Sequence, residues 1–275
     1  MAIAPDGLTA ISASYDNTLK IWDLLTGEEI ASFSGDGNSD CCAILPDGVS
    51  VVAGDASGRV HFLRLEGMGD LGDAAGLNNP VSLFYRGLAL AKQGQYEAAL
   101  AKFTEVAEIR PDALIVWFEK ATALFELERY EQAICCLDLA IKIEPNESYL
   151  WDWRGIALQR FGRAEEAISS YDRALELQPD DPGILDHRAY ALLTLGRDDE
   201  AMAEWDKVLE IDPNYANAYC NKACYFALQN QVELALENLQ RAIELEPERY
   251  RELAKTDADF DGIRGDVRFQ ELLLG

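Results

Sequence analysis

A chain of 275 residues with 49% hydrophobic and 27% charged side chains is long enough to bury two modest cores. It carries 49 acidic against 24 basic residues, a formal net charge of -25, and the first 79 residues hold 12 of those acids and 3 of those bases. Both parts are therefore acidic, which disfavours nucleic acid or an anionic membrane surface as the main partner and favours a protein or peptide segment with basic and apolar residues.

The start, Met1 to Asp6, lacks the basic region and long apolar run of a signal peptide, and no later apolar run is long enough to cross a membrane. A cytoplasmic location is expected. Residues 1–65 alternate as strands do, in Leu19-Lys20-Ile21-Trp22 and in Val60-His61-Phe62-Leu63, with Gly-rich and Asp-rich turns between. Ala4-Pro5-Asp6-Gly7 returns as Leu45-Pro46-Asp47-Gly48, an offset of 41, and at that offset Leu19–Asp23 aligns with Val60–Arg64.

The first copy, ending in Ile21-Trp22-Asp23, resembles a WD repeat, the blade unit of a β-propeller. The second copy departs from the pattern. Gly35-Asp36 stands where Gly-His is expected, and Leu63-Arg64 where Trp-Asp is expected. Two blades cannot close a ring, since propellers typically need at least four. The expectation is an incomplete propeller, either the C-terminal part of a longer propeller protein or one whose open strand edges a partner covers.

Residues 66–79 are rich in Gly, Asp, Leu, Ala and Asn without periodicity and read as a linker. They contain Gly67, Gly69 and Gly72 in a dinucleotide-binding spacing. Asp70 and Asp73 would repel a pyrophosphate, and Gly76 and Pro80 interrupt the helix such a motif requires. Among the six cysteines, Cys41-Cys42 and Cys135-Cys136 are adjacent and Cys220 and Cys224 lie one helical turn apart, which is neither zinc-site nor redox-motif spacing. Buried free thiols are expected.

From 80 to 247 one pattern recurs five times. Prolines 111, 145, 179, 213 and 247 are each 34 residues apart and close units beginning at Pro80, Leu114, Ser148, Pro182 and Ala216. Column 8 of the unit holds Gly87, Ala121, Gly155, Ala189 and Ala223, and column 20 holds alanine every time. Column 24 is large throughout: Phe103, Leu137, Tyr171, Trp205 and Leu239. Columns 4, 8 and 11 share one helical face and columns 20, 24 and 27 another, so each unit is a helical hairpin with small residues opposite large ones. Column 15 is Gly94, Glu128, Gly162, Gly196 and Asn230, four of which suit a left-handed helix terminus. One hairpin cannot bury both apolar faces, so neighbours must stack. Over five consecutive units this pattern resembles the tetratricopeptide repeat.

That resemblance implies a groove lined by the first helices through columns 2, 5, 6, 9 and 12. Carried onto this chain, the peptide-binding residues are Phe84, Leu88, Phe118, Thr122, Phe125, Asp152, Trp153, Ile156, Asp186 and Tyr190, with Tyr85, Tyr149, His187, Asn217 and Asn221 beside them. Some of these aromatics are equally suited to packing between repeats. The family's chaperone-binding members hold a terminal carboxylate with Lys at column 5 and Asn at column 9. Here those columns read Phe84/Leu88, Phe118/Thr122, Asp152/Ile156, Asp186/Tyr190 and Cys220/Cys224, so that clamp is missing. Column 7 is basic throughout (Arg86, Lys120, Arg154, Arg188, Lys222). Asp138, Asp172 and Asp206 at column 25 make inter-helix pairing the favoured reading over a ligand surface.

Residues 248–275 are expected to cap the array. Asp257 to Gly262 imitates the start of a calcium loop, but its twelfth position is Arg268 where a bidentate Glu is required. Asp259 to Phe269 instead resembles the tail that closes many bacterial arrays, with Phe260, Ile263, Phe269 and Leu272 sealing the last repeat and Asp266 as an N-cap.

The fold class expected is α+β multidomain and mainly α, a tetratricopeptide helical solenoid (80–247) preceded by a partial all-β propeller fragment (1–65). His61 and His187 are the two histidines, and neither sits in a catalytic or metal-binding context. No enzyme activity, cofactor or metal is expected. The leading functional reading is a scaffold that binds a peptide or protein segment in the groove. The alternative is the sensing or regulatory end of a larger signalling ATPase whose catalytic module lies upstream of Met1.

Overall fold

The computed structural model describes residues 2–3, 9–13, 18–23, 29–34, 39–44, 50–55, 60–64 and 80–274. The stretch 66–79 with its glycine motif, and the two Pro-Asp-Gly turns, lie outside the described residues. The chain divides into two compact units, Met1–Pro145 and Asn146–Gly275.

The first unit opens with strands β1 (Ala2–Ile3), β2 (Thr9–Ala13), β3 (Thr18–Asp23) and β4 (Glu29–Ser34), an antiparallel sheet in sequence order. β5 (Ser39–Ile44), β6 (Ser50–Asp55) and β7 (Val60–Arg64) form a second such sheet. Ile11 and Ile21 face each other across β2 and β3, and both are buried. Trp22 Nε1 donates to Ser12 Oγ at 2.8 Å, and Lys20 pairs with Glu29 at 2.7 Å across β3 and β4. The second sheet repeats the first register at the offset of 41 read from the sequence: Val51 pairs with Leu63 as Ala10 does with Trp22, and Val52 with Phe62 as Ile11 with Ile21. The same local pattern thus folds twice into the same antiparallel ladder.

Helices α1 (Pro80–Lys92), α2 (Tyr96–Ile109), α3 (Leu114–Glu126) and α4 (Tyr130–Ile143) complete the first unit as two hairpins. The second unit holds three more: α5 (Ser148–Arg160) with α6 (Ala164–Leu177), α7 (Pro182–Thr194) with α8 (Asp198–Ile211), and α9 (Ala216–Leu228) with α10 (Val232–Leu245). In every hairpin the second helix stops two residues short of the repeat's proline, at Ile109, Ile143, Leu177, Ile211 and Leu245. Proline bars the preceding residue from helical geometry and offers no N–H to continue the ladder.

The turns inside the hairpins are equally uniform. Gly94, Glu128, Gly162, Gly196 and Asn230 all have positive φ, between 56° and 86°. Past each, an N–H reaches back to close the first helix, as in Arg129 N to Leu124 O at 2.9 Å and Arg163 N to Leu158 O at 2.9 Å. Glu128 adopts the left-handed conformation although its type does not favour it, because this closure leaves no alternative backbone path.

Small columns sit under large ones. A methyl group at Gly87 would come within 2.5 Å of the Phe103 ring, and one at Gly155 would overlap the Tyr171 ring. Trp205, Tyr171, Phe103, Leu137 and Leu239 are each at most 2% exposed. Two members of the basic column tie neighbouring repeats of the second unit: Arg188 Nε approaches Asp172 at 2.8 Å from α7 to α6, and Lys222 pairs with Asp206 at 2.5 Å from α9 to α8. Arg188 also reaches Glu204 on α8 at 2.5 Å.

The chain closes with α11 (Pro247–Thr256), a 3-10 turn (Ala258–Phe260) and α12 (Val267–Leu274). Tyr250, Ala254, Phe260, Ile263 and Phe269 join Leu236, Leu239 and Ile243 of α10 in one apolar core. Asp266 Oδ1 accepts from Arg268 N at 2.8 Å at the start of α12.

Candidate functional site

In the second unit, first helices of three successive repeats converge on a cleft of about 530 Å³. α5 supplies Ile156, Gln159 and Arg160, α7 supplies Asp186, His187, Tyr190 and Thr194, α9 supplies Asn217 and Asn221, and Tyr171 reaches in from α6. The 3.6-residue period explains the selection, since Ile156 and Arg160, like Tyr190 and Thr194, are four apart and lie on one face.

A hydrogen-bonded network forms the floor. Asp186, 2% exposed, accepts from Trp205 Nε1 at 2.8 Å, Asn217 Nδ2 at 2.6 Å and Asn221 Nδ2 at 2.8 Å. A carboxylate buried that deeply is tolerated because three donors replace its water. Asp152 on α5 is bound to His187 Nδ1 on α7 at 2.8 Å. Burial alone lowers the His187 pKa, but the hydrogen bond and charge of Asp152, reinforced by Asp186 and Asp181, outweigh it and hold the imidazole above its ordinary 6.5. The Tyr171 ring lies 6.0 Å from the His187 ring, and its hydroxyl donates to Gln159 Oε1 at 3.0 Å. Burial, then the charge of Asp152, push the Tyr171 pKa upward, so the phenol keeps its proton and acts as a donor.

Of the residues nominated from sequence, Ile156, Asp186, Tyr190, His187, Asn217 and Asn221 line this cleft. Asp152 lies behind it as the partner of His187. Trp153 is half-buried on α5 and is not among the lining residues. The remaining nominees belong to the first unit. There Phe84 is 4% exposed against Phe103 with ring centroids 5.7 Å apart, a core position. Leu88 and Phe118 are half-buried, Thr122 Oγ1 donates to Phe118 O within its own helix at 3.0 Å, and Phe125 meets Tyr130 edge-on at 5.3 Å.

Sequence reasoning missed Gln159, Arg160, Thr194 and Tyr171. Gln159 occupies column 12, one of the columns already assigned to the groove. Arg160 and Thr194 share column 13, one helical turn beyond column 9, so extending the same face by four residues finds them. Tyr171 was legible only as a core residue, because it holds column 24, which is large in every repeat, and it is fully buried.

A larger depression of about 660 Å³ lies over α10, α11 and α12. Its arginines are already engaged, Arg268 by Glu233 at 3.3 Å and Asp266 at 2.7 Å and Arg251 by Leu272 O at 3.3 Å. It draws on the terminal elements alone, whereas the smaller cleft gathers one helical face from three repeats. Among the described residues, Cys224, Asp257 and Asp259 bring potential metal-ligating atoms within 4.8 Å of one another. Asp257 Oδ1 already caps Asp259 N at 3.0 Å, and Arg264 donates to Asp257 O at 2.8 Å, so the loop is closed by its own protein groups.

Profiles described as tetratricopeptide or TPR repeats match residues 84–148, 120–193, 189–228 and 216–249, and one described as a WD domain, G-beta repeat, matches residues 1–23. No curated protein matches the chain. Among solved structures, MamA 41-end from Desulfovibrio magneticus RS-1 is 17% identical with a TM-score of 0.55, covering 62% of this chain and 96% of its own. A crystal structure of MamA protein is 16% identical with a TM-score of 0.53, covering 66% and 97%. YrrB, described as a TPR protein with an unusual peptide-binding site, is 23% identical with a TM-score of 0.50, covering 68% and 96%. These likenesses concern the fold.

Proposed function

The chain belongs to the tetratricopeptide-repeat family and carries a WD-type repeat at its N-terminus, and on that premise we propose that it is a non-enzymatic scaffold whose cleft in residues 146–275 binds a segment of another protein. The observation that carries this reading is the cleft itself: one face from each of three repeats, an exposed aromatic at Tyr190 (53%), and a floor whose buried charges are satisfied internally. A rigid, pre-satisfied floor costs little to cover with a peptide, which is what preorganised recognition requires. The peptide-binding description of YrrB, a protein of the same fold, supports the same use of the repeats.

A non-catalytic role is supported by the chemistry of the reactive groups. Burial pushes the Cys136 thiol up to about 11, far from a thiolate nucleophile. The hydrogen bond to Cys220, then burial, likewise push the Cys224 thiol up.

The test is selection of displayed random peptides against the full chain, followed by Tyr190→Ala and Thr194→Trp, which respectively remove the exposed ring and fill the cleft. Both variants are expected to melt as the parent does and to lose the selected peptides. Peptides held equally well by both variants would place binding elsewhere and end this reading.

A further inference from the structure

The acids of the cleft draw attention first, but neither is open to a partner's cation. Asp186 is 2% exposed beneath three donors, and Asp152 is held by His187 and does not line the cleft. The unspent groups are donors. Arg160 is exposed and, among the described residues, makes no hydrogen bond or ion pair, while presenting a planar fork of N–H groups. Its guanidinium lies near enough to bear on the Tyr171 hydroxyl. Gln159 has its carbonyl fixed by that same hydroxyl at 3.0 Å, which leaves its amide N–H groups free to donate. His187, with Nδ1 held by Asp152, has Nε2 remaining. Beside these donors stand apolar surfaces at Ile156 and Tyr190.

Resting on the reading above, we infer that the bound segment is anchored by a side-chain carboxylate, an Asp or Glu next to an apolar residue, that docks on Arg160 with Gln159 beside it. The columns where Lys and Asn would clamp a terminal carboxylate hold Asp152/Ile156 and Asp186/Tyr190, which favours a side-chain carboxylate as the occupant. The long-range field of a chain at -25 still favours a segment that is neutral or basic overall. The two requirements act at different distances: the global charge selects which segments approach, and the local donors select the one acid that seats.

The probe is a library of random short peptides fused through their C-termini to a coat protein, so that side chains supply the only carboxylates, selected against the full chain. Enriched sequences are expected to share one Asp or Glu beside an apolar residue. A synthetic, C-terminally amidated version, followed by fluorescence anisotropy, is expected to bind Arg160→Ala about tenfold or more weakly, the size of a lost charged hydrogen bond. Arg160→Glu is expected to lose that peptide and gain its Lys-substituted counterpart. Because Arg160 is exposed, both variants are expected to keep the parent's melting temperature.

Peptides that lose binding to Tyr190→Ala but not to Arg160→Ala, or that share Lys or Arg and no acid, overturn the carboxylate anchor and leave the cleft reading standing. Peptides indifferent to both variants, or no enrichment at all, overturn both.

Discussion

Trp205 contributes twice to the second unit, through the volume it fills and the hydrogen bond it donates. It is fully buried, and its Nε1 satisfies Asp186 at 2.8 Å. Trp205→Ala is expected to cost about 3 to 5 kcal/mol from the cavity, read as a lowered urea midpoint for the transition of the second unit. Trp205→Phe keeps most of the ring but leaves Asp186 a donor short, and is expected to cost about 1 to 3 kcal/mol. If the two variants were equally mild, the buried carboxylate would not depend on the indole. Glu128 offers the opposite experiment. It is held at φ 57°, where a side chain is unfavourable and glycine is not, so Glu128→Gly is expected to stabilise by about 1 kcal/mol. A thermal shift downward would show that the Glu128 side chain has a role beyond the turn.

Between elements, the second unit relies on ties that cross from one repeat to the next. The pair Lys222–Asp206, whose Asp206 side chain is 62% exposed, belongs to the class that contributes about 1 kcal/mol or less. His187–Asp152, joining α7 to α5, is different because its strength depends on protonation. The folded-state pKa of His187 is raised above 6.5, so its contribution is fully present below that pH and is lost as pH rises through the folded value. The melting temperature of the parent is therefore expected to fall as pH rises from 6.5 upward relative to His187→Gln, which cannot titrate. Parallel pH curves for the two would mean that the imidazole stays neutral. The terminal elements are tied by arginines, with Arg264 paired to Asp261 at 2.8 Å and Arg268 to Asp266 at 2.7 Å. The Arg268 side chain, then its backbone N–H, hold the Asp266 carboxyl down to about 2. With these cations in place, added calcium is expected to leave the melting temperature unchanged, and a clear rise would reopen the loop as a calcium site.

For the whole molecule, the net charge of -25 sets a background of self-repulsion. Raising ionic strength shortens the screening length from about 8 Å at 0.15 M, so added sodium chloride is expected to raise the melting temperature. A fall would mean that the inter-repeat ion pairs outweigh the repulsion. No helix among the described residues is long and apolar enough to cross a membrane.

The amino-acid order by itself determined the repeating hairpins: the 34-residue spacing, the small and large columns, the left-handed turns and the proline stops all act within a few residues or between two adjacent helices. It also carried the paired sheets, since the offset of 41 preserves strand alternation and therefore register. Which charges of the cleft are available was decided only in three dimensions. Asp186 is hydrogen-bonded by partners 19, 31 and 35 residues away, and Asp152 by one 35 away. A string of letters shows that an acid is present on a helical face. Whether that acid is open to a partner depends on the groups packed over it, for Asp186 Trp205 from its own repeat and Asn217 and Asn221 from the next, and that exists only once the helices have stacked.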